Sequence, residues 1–139
     1  SSDPQHPGPP IDPARLQLPA VAGPLVVETA GGLLVPLRRD RLQIEQLQTW
    51  GLPVLLVARS GLGTLNHTLL SLEALQQRRI PVLGVLFNGT PHADNPRTIA
   101  DLAGVPVLGT LPPLAAITPQ TLQQQWQALD LSHKLRPRP

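Results

Sequence analysis

The sequence contains no cysteine, no methionine and no tyrosine. It has one phenylalanine, two tryptophans and, at Lys134, a single lysine. Each shortage removes a class of chemistry. Without cysteine there are no disulfides and no thiolate metal sites, a composition that fits a cytoplasmic location. With Phe87, Trp50 and Trp126 as the only aromatics besides histidine, and arginines that scatter rather than cluster, the chain offers neither the stacking platform nor the basic stripe of a nucleic-acid binder. Net charge is only +2. No apolar run approaches the ~20 residues of a membrane-spanning helix. The opening "SSDPQHPGPP" is polar and proline-rich and has no apolar core of a signal peptide.

What is present is proline, glycine and a regular alternation. Proline is dense over residues 1–24 and returns at 136–139, so 1–22 reads as an irregular segment and 132–139 as a flexible tail. Between them, 23–131 is one domain's worth of chain. "GPLVVET" (23–29), "LPVLLVA" (52–58), "IPVLGVLFN" (80–88) and "VPVLGTLP" (105–112) are short, nearly unbroken apolar runs bounded by turn residues, as buried strands are. Helical spacing predicts helices over 40–51, 63–79, 95–104 and 118–131. The first carries Leu42, Ile44, Leu47 and Trp50 at helical spacing, with Asp40 as N-cap and Gly51 as stop. Asn95–Pro96 and Thr118–Pro119 repeat a cap-then-proline start. Unbroken apolar strands alternating with helices indicate an α/β fold. The expectation is a parallel sheet of about four strands with helices on both faces.

In open α/β sheets ligands bind beyond the carboxyl ends of the strands. Four stretches meet that condition: "ETAGG", "RSGLGTLNH", "NGTPH" and "LPPL". Glu28 stands where a buried strand is predicted to end, a usual place for a carboxylate that holds Mg²⁺ beside nucleotide phosphates. The competing reading is a solvated carboxylate paired with Arg38 or Arg39. "GLGTLN" superficially matches a dinucleotide fingerprint, but Asn66 replaces its third glycine and no acid ends the next strand. Gly61 and Gly63 still allow close backbone approach, and the free N–H groups of a helix start attract an anion. An ordinary strand-to-helix turn explains the same residues. His67 and His92 read as turn and loop residues, and His6 and His133 fall near the ends. No zinc-protease spacing and no Ser–His–Asp arrangement is present.

In order and spacing, "VVETAGGLLVPL", "LPVLLVARSGLGTLNHTLLSLEAL", "IPVLGVLFNGTPH" and "NPRTIADLAGVPVLGTLPPL" resemble the C-terminal half of the dethiobiotin synthetases, over roughly residues 23–116. The resemblance implies a P-loop NTPase-like fold. It also implies an ATP- and Mg²⁺-dependent ligase that closes a cyclic urea on 7,8-diaminononanoate with CO₂, through a carbamate that attacks the γ-phosphate. On that resemblance Glu28 is the metal ligand, and Thr29, Ala30 and Gly31 line the phosphates. Asn88 with Gly89 reads the adenine, which Pro112, Pro113 and Leu114 flank. Gly63, Thr64, Leu65 and Asn66 hold the distal carboxylate of the substrate, facing the second subunit of a homodimer. No side chain of this chain is assigned a catalytic role.

Departures accompany the resemblance. Thr29 stands where the family usually has glycine. The phosphate loop GxxxxGK[ST] is absent from all 139 residues, and the one lysine follows His133 rather than a glycine. The resemblance places that loop, the substrate-facing lysine and a second metal carboxylate before the start of this chain, which is therefore expected to be inactive alone. The other reading is a non-catalytic, truncated paralogue that dimerises or binds a carboxylate.

Overall fold

A computed structural model describes residues 11–92 and 94–135. The chain forms two compact units that divide between Leu52 and Pro53.

The first unit is held together by side-chain amides. A 3₁₀ turn at Pro13–Arg15 begins on Asp12, whose carboxylate accepts the Ala14 N–H at 3.0 Å. Two short strands, β1 (Pro36–Arg38) and β2 (Arg41–Leu42), pair antiparallel. They lead into helix α1 (Gln43–Trp50). Gly51 ends α1 in the left-handed region at φ +64°, its N–H bonded to the Leu47 carbonyl at 3.1 Å. That fulfils the stop expected there. The start differs. Asp40 lies three residues before the helix and binds Arg38 through both carboxylate oxygens, each at 3.0 Å. Glu45 serves the helix start instead, reaching back to the Leu42 N–H at 2.8 Å. The buried face also departs from the apolar pattern, for Gln43 and Gln46 are enclosed with Ile44. Their amides explain it: Gln43 donates to the Gly32 carbonyl at 3.0 Å, and Gln46 to the Leu16 carbonyl at 3.1 Å. Burying an amide is tolerable when it is bonded.

The run 23–29 is not a strand. Residues 24–29 carry no regular structure, and Val26 is 92% exposed. A strand exists only as part of a hydrogen-bonded ladder. Among the described residues no strand pairs with this run. The expected four-strand sheet is thus a three-strand one.

The second unit carries that sheet. Strands β3 (Val54–Arg59), β4 (Val82–Asn88) and β5 (Val107–Leu111) are parallel and adjacent in that order. Helix α2 (Thr64–Gln77) joins β3 to β4, and α3 (Asp94–Ala103) joins β4 to β5. Two successive crossovers in one direction, each right-handed by strong preference, put both helices on one face of a sheet. Leu72 of α2 and Ile99 of α3 enclose Val85 and Phe87, all four at most 1% exposed, with Leu56 and Ala58 packed around them. These contacts make one continuous core between the two helices and the sheet.

Gly109 pairs in register with Leu86, which alternates with that core face, so Gly109 faces the other side. There a Cβ on Gly109 would lie 2.5 Å from Leu129 Cδ2. The chain after β5 therefore reaches the second face. Thr118 caps α4 (Pro119–Ala128) by accepting the Thr121 N–H at 3.2 Å, with Pro119 in the first turn, as expected. Helix α3 begins one residue before its expected cap, so Asn95 and Pro96 lie inside its first turn. The last expected helix is broken in two. Asp130 takes φ +51°, and α5 (Leu131–Lys134) follows as a separate turn.

Candidate functional site

The first unit contains the stretch from Glu28 to Gly31. Glu28 is exposed and makes no ion pair among the described residues. Of the two arginines anticipated as its partners, Arg38 is taken by Asp40, and Arg39 forms no ion pair with it. Thr29 is half-buried and Ala30 exposed. Gly31 turns the chain at φ +80°, where a Cβ would come within 3.1 Å of Val35 Cγ2. The loop from Gly31 to Val35 is anchored: the α1 N-terminal N–H groups of Gln43 and Ile44 bind the carbonyls of Val35 and Leu33, both at 2.8 Å. It thereby satisfies donors that every helix start leaves open. Its position is fixed from the helix side, while the side chains of Glu28 and Thr29 have no partner among the described residues.

The second unit brings three other expected segments to one sheet edge. In the parallel register Arg59 stands opposite Asn88, and Asn88 opposite Leu111. The ladder continues one step past the strands: Ser60 N–H donates to the Asn88 carbonyl at 3.1 Å, and Gly89 N–H to the Leu111 carbonyl at 2.9 Å. Ser60, Asn88–Gly89 and Leu111–Pro112 consequently form one row. Asn88 is exposed, Gly89 and Pro112 are half-buried, Pro113 is exposed and Leu114 half-buried. Gly89 takes φ +130°, and a Cβ there would sit 2.6 Å from Ser60 Oγ. Glycine is required on both counts.

Just beyond β3, α2 begins on Gly63 at φ +85° with no side-chain cap. The Thr64 N–H bonds to the Gly61 carbonyl at 3.2 Å, while no side chain claims the rest of the first turn. Gly63 and Asn66 are exposed, Leu65 is half-buried and Thr64 buried. Thr64 and Thr68, 2% and 3% exposed, hold each other through their hydroxyls at 3.3 Å. They line a groove of about 150 Å³ together with Arg59, His67 and Ser71. An uncapped helix start on this scale presents positive partial charge to an anion.

A larger cavity of about 460 Å³ lies in the first unit, bounded by Arg38, Asp40, Arg41, Glu45 and Thr49. Its charged groups are largely engaged, although Arg41 Nε is buried without a hydrogen-bond partner among the described residues. Arg38 holds Asp40, Arg41 donates to Gln46 at 3.2 Å and Thr49 at 3.0 Å, and Glu45 holds the Leu42 N–H. Size alone does not make it the site.

Sequence reasoning did not single out Ser60 or Thr68. Ser60 sits in the turn after β3 as any serine in a turn does, and only the register shows its contact with Gly89. Thr68 lies four residues after Thr64 on a helix, a spacing that brings side chains together, so that pair was open to detection. No group of three or more potential metal-ligating side chains occurs among the described residues.

A family model described as an AAA domain matches residues 3–121. An ATP-dependent dethiobiotin synthetase of Agrobacterium fabrum is 54% identical over 114 residues, covering 82% of this chain and 54% of that protein. One of Brucella anthropi is 51% identical over 117 residues, covering 84% of this chain and 55% of that protein. A biotin biosynthesis bifunctional protein of Bordetella avium is 54% identical over 112 residues, or 81% of this chain and 24% of that one. The chain spans about half the length of the dethiobiotin synthetases it matches, or less for the bifunctional protein.

Proposed function

Since the chain belongs to the AAA domain family and is homologous to ATP-dependent dethiobiotin synthetases over most of its length, we propose that it contributes half of such an enzyme's site. The reaction is ATP-dependent closure of a cyclic urea on 7,8-diaminononanoate with CO₂. The observation that carries the reading is the row of strand ends: Ser60, Asn88–Gly89 and Leu111–Pro112 lie side by side, next to a helix start that no side chain caps. This is where a parallel α/β sheet takes its ligand.

Each element has a role in that proposal. Asn88 and Gly89 receive the adenine, with Pro112, Pro113 and Leu114 beside it. The α2 start, Gly63 to Asn66, takes the distal carboxylate of the substrate, where the dipole adds roughly 0.3–1 kcal/mol. Thr29, Ala30 and Gly31 border the phosphates, and Thr29 adds a hydroxyl there. Mg²⁺ is commonly held by only one or two carboxylates plus substrate phosphates. Glu28, exposed and without an ion pair among the described residues, suits that donor set. When bound, the metal would offset negative charge on the phosphates. Positioning and charge stabilisation, rather than covalent chemistry, are what phosphoryl transfer asks of a protein.

A second copy of the chain completes the proposal. On the exposed face of α2 and the turn before it stand Leu62, 99% exposed, Asn66, and Leu70, 56% exposed. Apolar groups beside an anion-binding helix start suit a dimer whose substrate bridges the subunits. The cytoplasm, where ATP and biotin precursors are made, is the proposed location.

The test is complementation in two parts. The chain is co-produced with the phosphate-loop half of the Agrobacterium fabrum relative, and dethiobiotin formation from diaminononanoate is measured. The pair should be active and the 139 residues alone inactive, because they contain no GxxxxGK[ST]. Turnover by the chain alone would overturn the half-site reading, as would failure of a soluble, assembled pair to form any dethiobiotin.

A further inference from the structure

Strand β3 is the outermost strand of a parallel sheet, and its outer flank pairs with no strand among the described residues. Two bonds fix the direction of its backbone groups. The Val54 N–H donates to the Pro81 carbonyl at 2.8 Å, and the Ser60 N–H to the Asn88 carbonyl at 3.1 Å. Backbone direction alternates along a strand, so the even-numbered residues face β4, while Leu55, Val57 and Arg59 aim their N–H and carbonyl groups outward. A row of unpaired donors and acceptors is a template for a further strand. A groove of about 150 Å³ follows this flank, lined by the successive residues Leu56, Val57, Ala58 and Arg59 and by Thr64 and Thr68 of α2. Successive side chains point to opposite faces of a sheet, so four in a row meet one groove only along the strand's edge. Val57, in the middle of β3, is also 57% exposed, although parallel sheets are ordinarily covered on both faces.

We propose that the outer flank of β3 is a docking surface for one parallel strand of the phosphate-loop half, the strand that leads into GxxxxGK[ST]. This rests on the half-enzyme reading and names the surface by which the halves join. Three observations select that occupant. The chain spans about half the length of the dethiobiotin synthetases it matches, so those proteins carry a comparable stretch of further chain. The loop absent from the 139 residues is built as strand, loop and helix, so it arrives with a strand of its own. A strand laid parallel on β3 ends level with Arg59, and the loop after it falls beside Ser60, in the row that holds Asn88 and Leu111. An antiparallel strand would deliver that loop to the opposite end of the sheet. At the other flank Lys134 already binds the Leu108 carbonyl of β5.

The experiment is amide hydrogen exchange, followed by NMR on isotope-labelled chain, alone and in the pair co-produced with the phosphate-loop half of the Agrobacterium fabrum relative. In the chain alone, Leu56, Ala58 and Ser60 should be protected, while Leu55, Val57 and Arg59 exchange freely. In the pair those three should slow by about tenfold or more, as amides that enter a stable ladder do. Two variants probe the same flank by different means. Val57→Pro removes one outward N–H, at a position where an edge strand accepts proline. Val57→Lys keeps the backbone and places a charge where a central strand would enclose it. Because Val57 is exposed, Val57→Lys should leave the Tm of the isolated chain unchanged. Both variants should abolish co-purification of the other half.

The outcomes separate the docking surface from the half-enzyme reading. A pair that protects Leu55, Val57 and Arg59 but forms no dethiobiotin refutes the half-enzyme reading and leaves the docking surface standing. A pair that forms dethiobiotin while those amides exchange freely does the reverse. Slowing of the three amides with rising concentration of the chain alone would assign the flank to a second copy, and slowing at every concentration would mean that it is filled from within the chain. Either result overturns the proposal, as does normal assembly by Val57→Lys or no association of the two halves. If Val57→Pro fails to fold, Val57→Lys and the alternating exchange pattern decide.

Discussion

The ammonium of Lys134 donates to the carbonyl of Leu108 at 2.8 Å. Leu108 is the residue that the β4–β5 register skips: Val85 pairs with Val107, and Leu86 with Gly109. Its carbonyl therefore belongs to an irregularity in an edge strand, and the only lysine in the chain satisfies it. The residues from 132 onward read as a tail in the sequence, yet α5 places Lys134 on the sheet. Lysine at an edge also discourages pairing with another chain.

Replacing Lys134 with methionine should lower stability by about 1 kcal/mol, the usual net worth of a hydrogen bond. Urea denaturation at low and high protein concentration checks both effects. The midpoint should fall, and self-association should increase because the β5 edge loses its cover.

Gly84 and Gly51 should respond very differently to alanine. At Gly84 an added Cβ would lie 2.7 Å from the Pro106 carbonyl oxygen and 3.0 Å from two atoms of Leu108. Backbone cannot swing aside as a side-chain end does, so Gly84→Ala should cost about 2–3 kcal/mol or prevent folding. Gly51 needs only its left-handed φ, with nothing within 4 Å of the new atom. Gly51→Ala should cost about 1 kcal/mol. Thermal unfolding of the two variants under one condition tests the order.

Glu45→Ala removes the carboxylate that accepts the Leu42 N–H. The expected loss is about 0.5–2 kcal/mol, as for other helix-start bonds. Asp40→Ala should cost less, since Asp40 is an exposed partner of Arg38 and surface ion pairs contribute about 0–1 kcal/mol. Equal losses would return Asp40 to the capping role that the sequence pattern assigned to it.

Ile99→Ala should be the most damaging of the single core truncations on α3. The side chain is fully enclosed against Leu72, Val85 and Phe87. Such changes cost about 2–5 kcal/mol, a large part of a typical domain's stability. Loss of cooperative unfolding in calorimetry is the expected signature.

Glu28→Ala in the two-part enzyme should remove most of the dethiobiotin-forming activity. Because Glu28 is exposed and forms no ion pair among the described residues, the Tm of the chain should remain within about 1 °C of the native value, as is usual for a neutral surface change. A variant with full activity would refute the metal-ligand role.

Much of the second unit was legible because its signals are local. The apolar runs that became β3, β4 and β5, the helices between them and the Thr118–Pro119 start all follow from period, caps and glycine, as does the Gly51 stop in the first unit. The family resemblance was legible for the same reason, as four motifs kept their order along the chain. The α2 start was recognisable as a candidate from its position after a strand, whereas Glu28 was singled out by residue type and by a strand end that the fold does not form. What failed was whatever depends on a neighbour in space. Residues 24–29 have a strand's composition, but a ladder is made by two chains of hydrogen bonds and not by one run of side chains. Gln43 and Gln46 look like surface residues until Gly32 and Leu16 supply the carbonyls that allow their burial. Sequence alone determined the α/β class, the parallel strands and the kind of chemistry to expect. Only the tertiary structure decided which strands pair, which polar groups are enclosed, and that Ser60 meets Gly89, since register and close approach are set by packing between segments far apart in the chain.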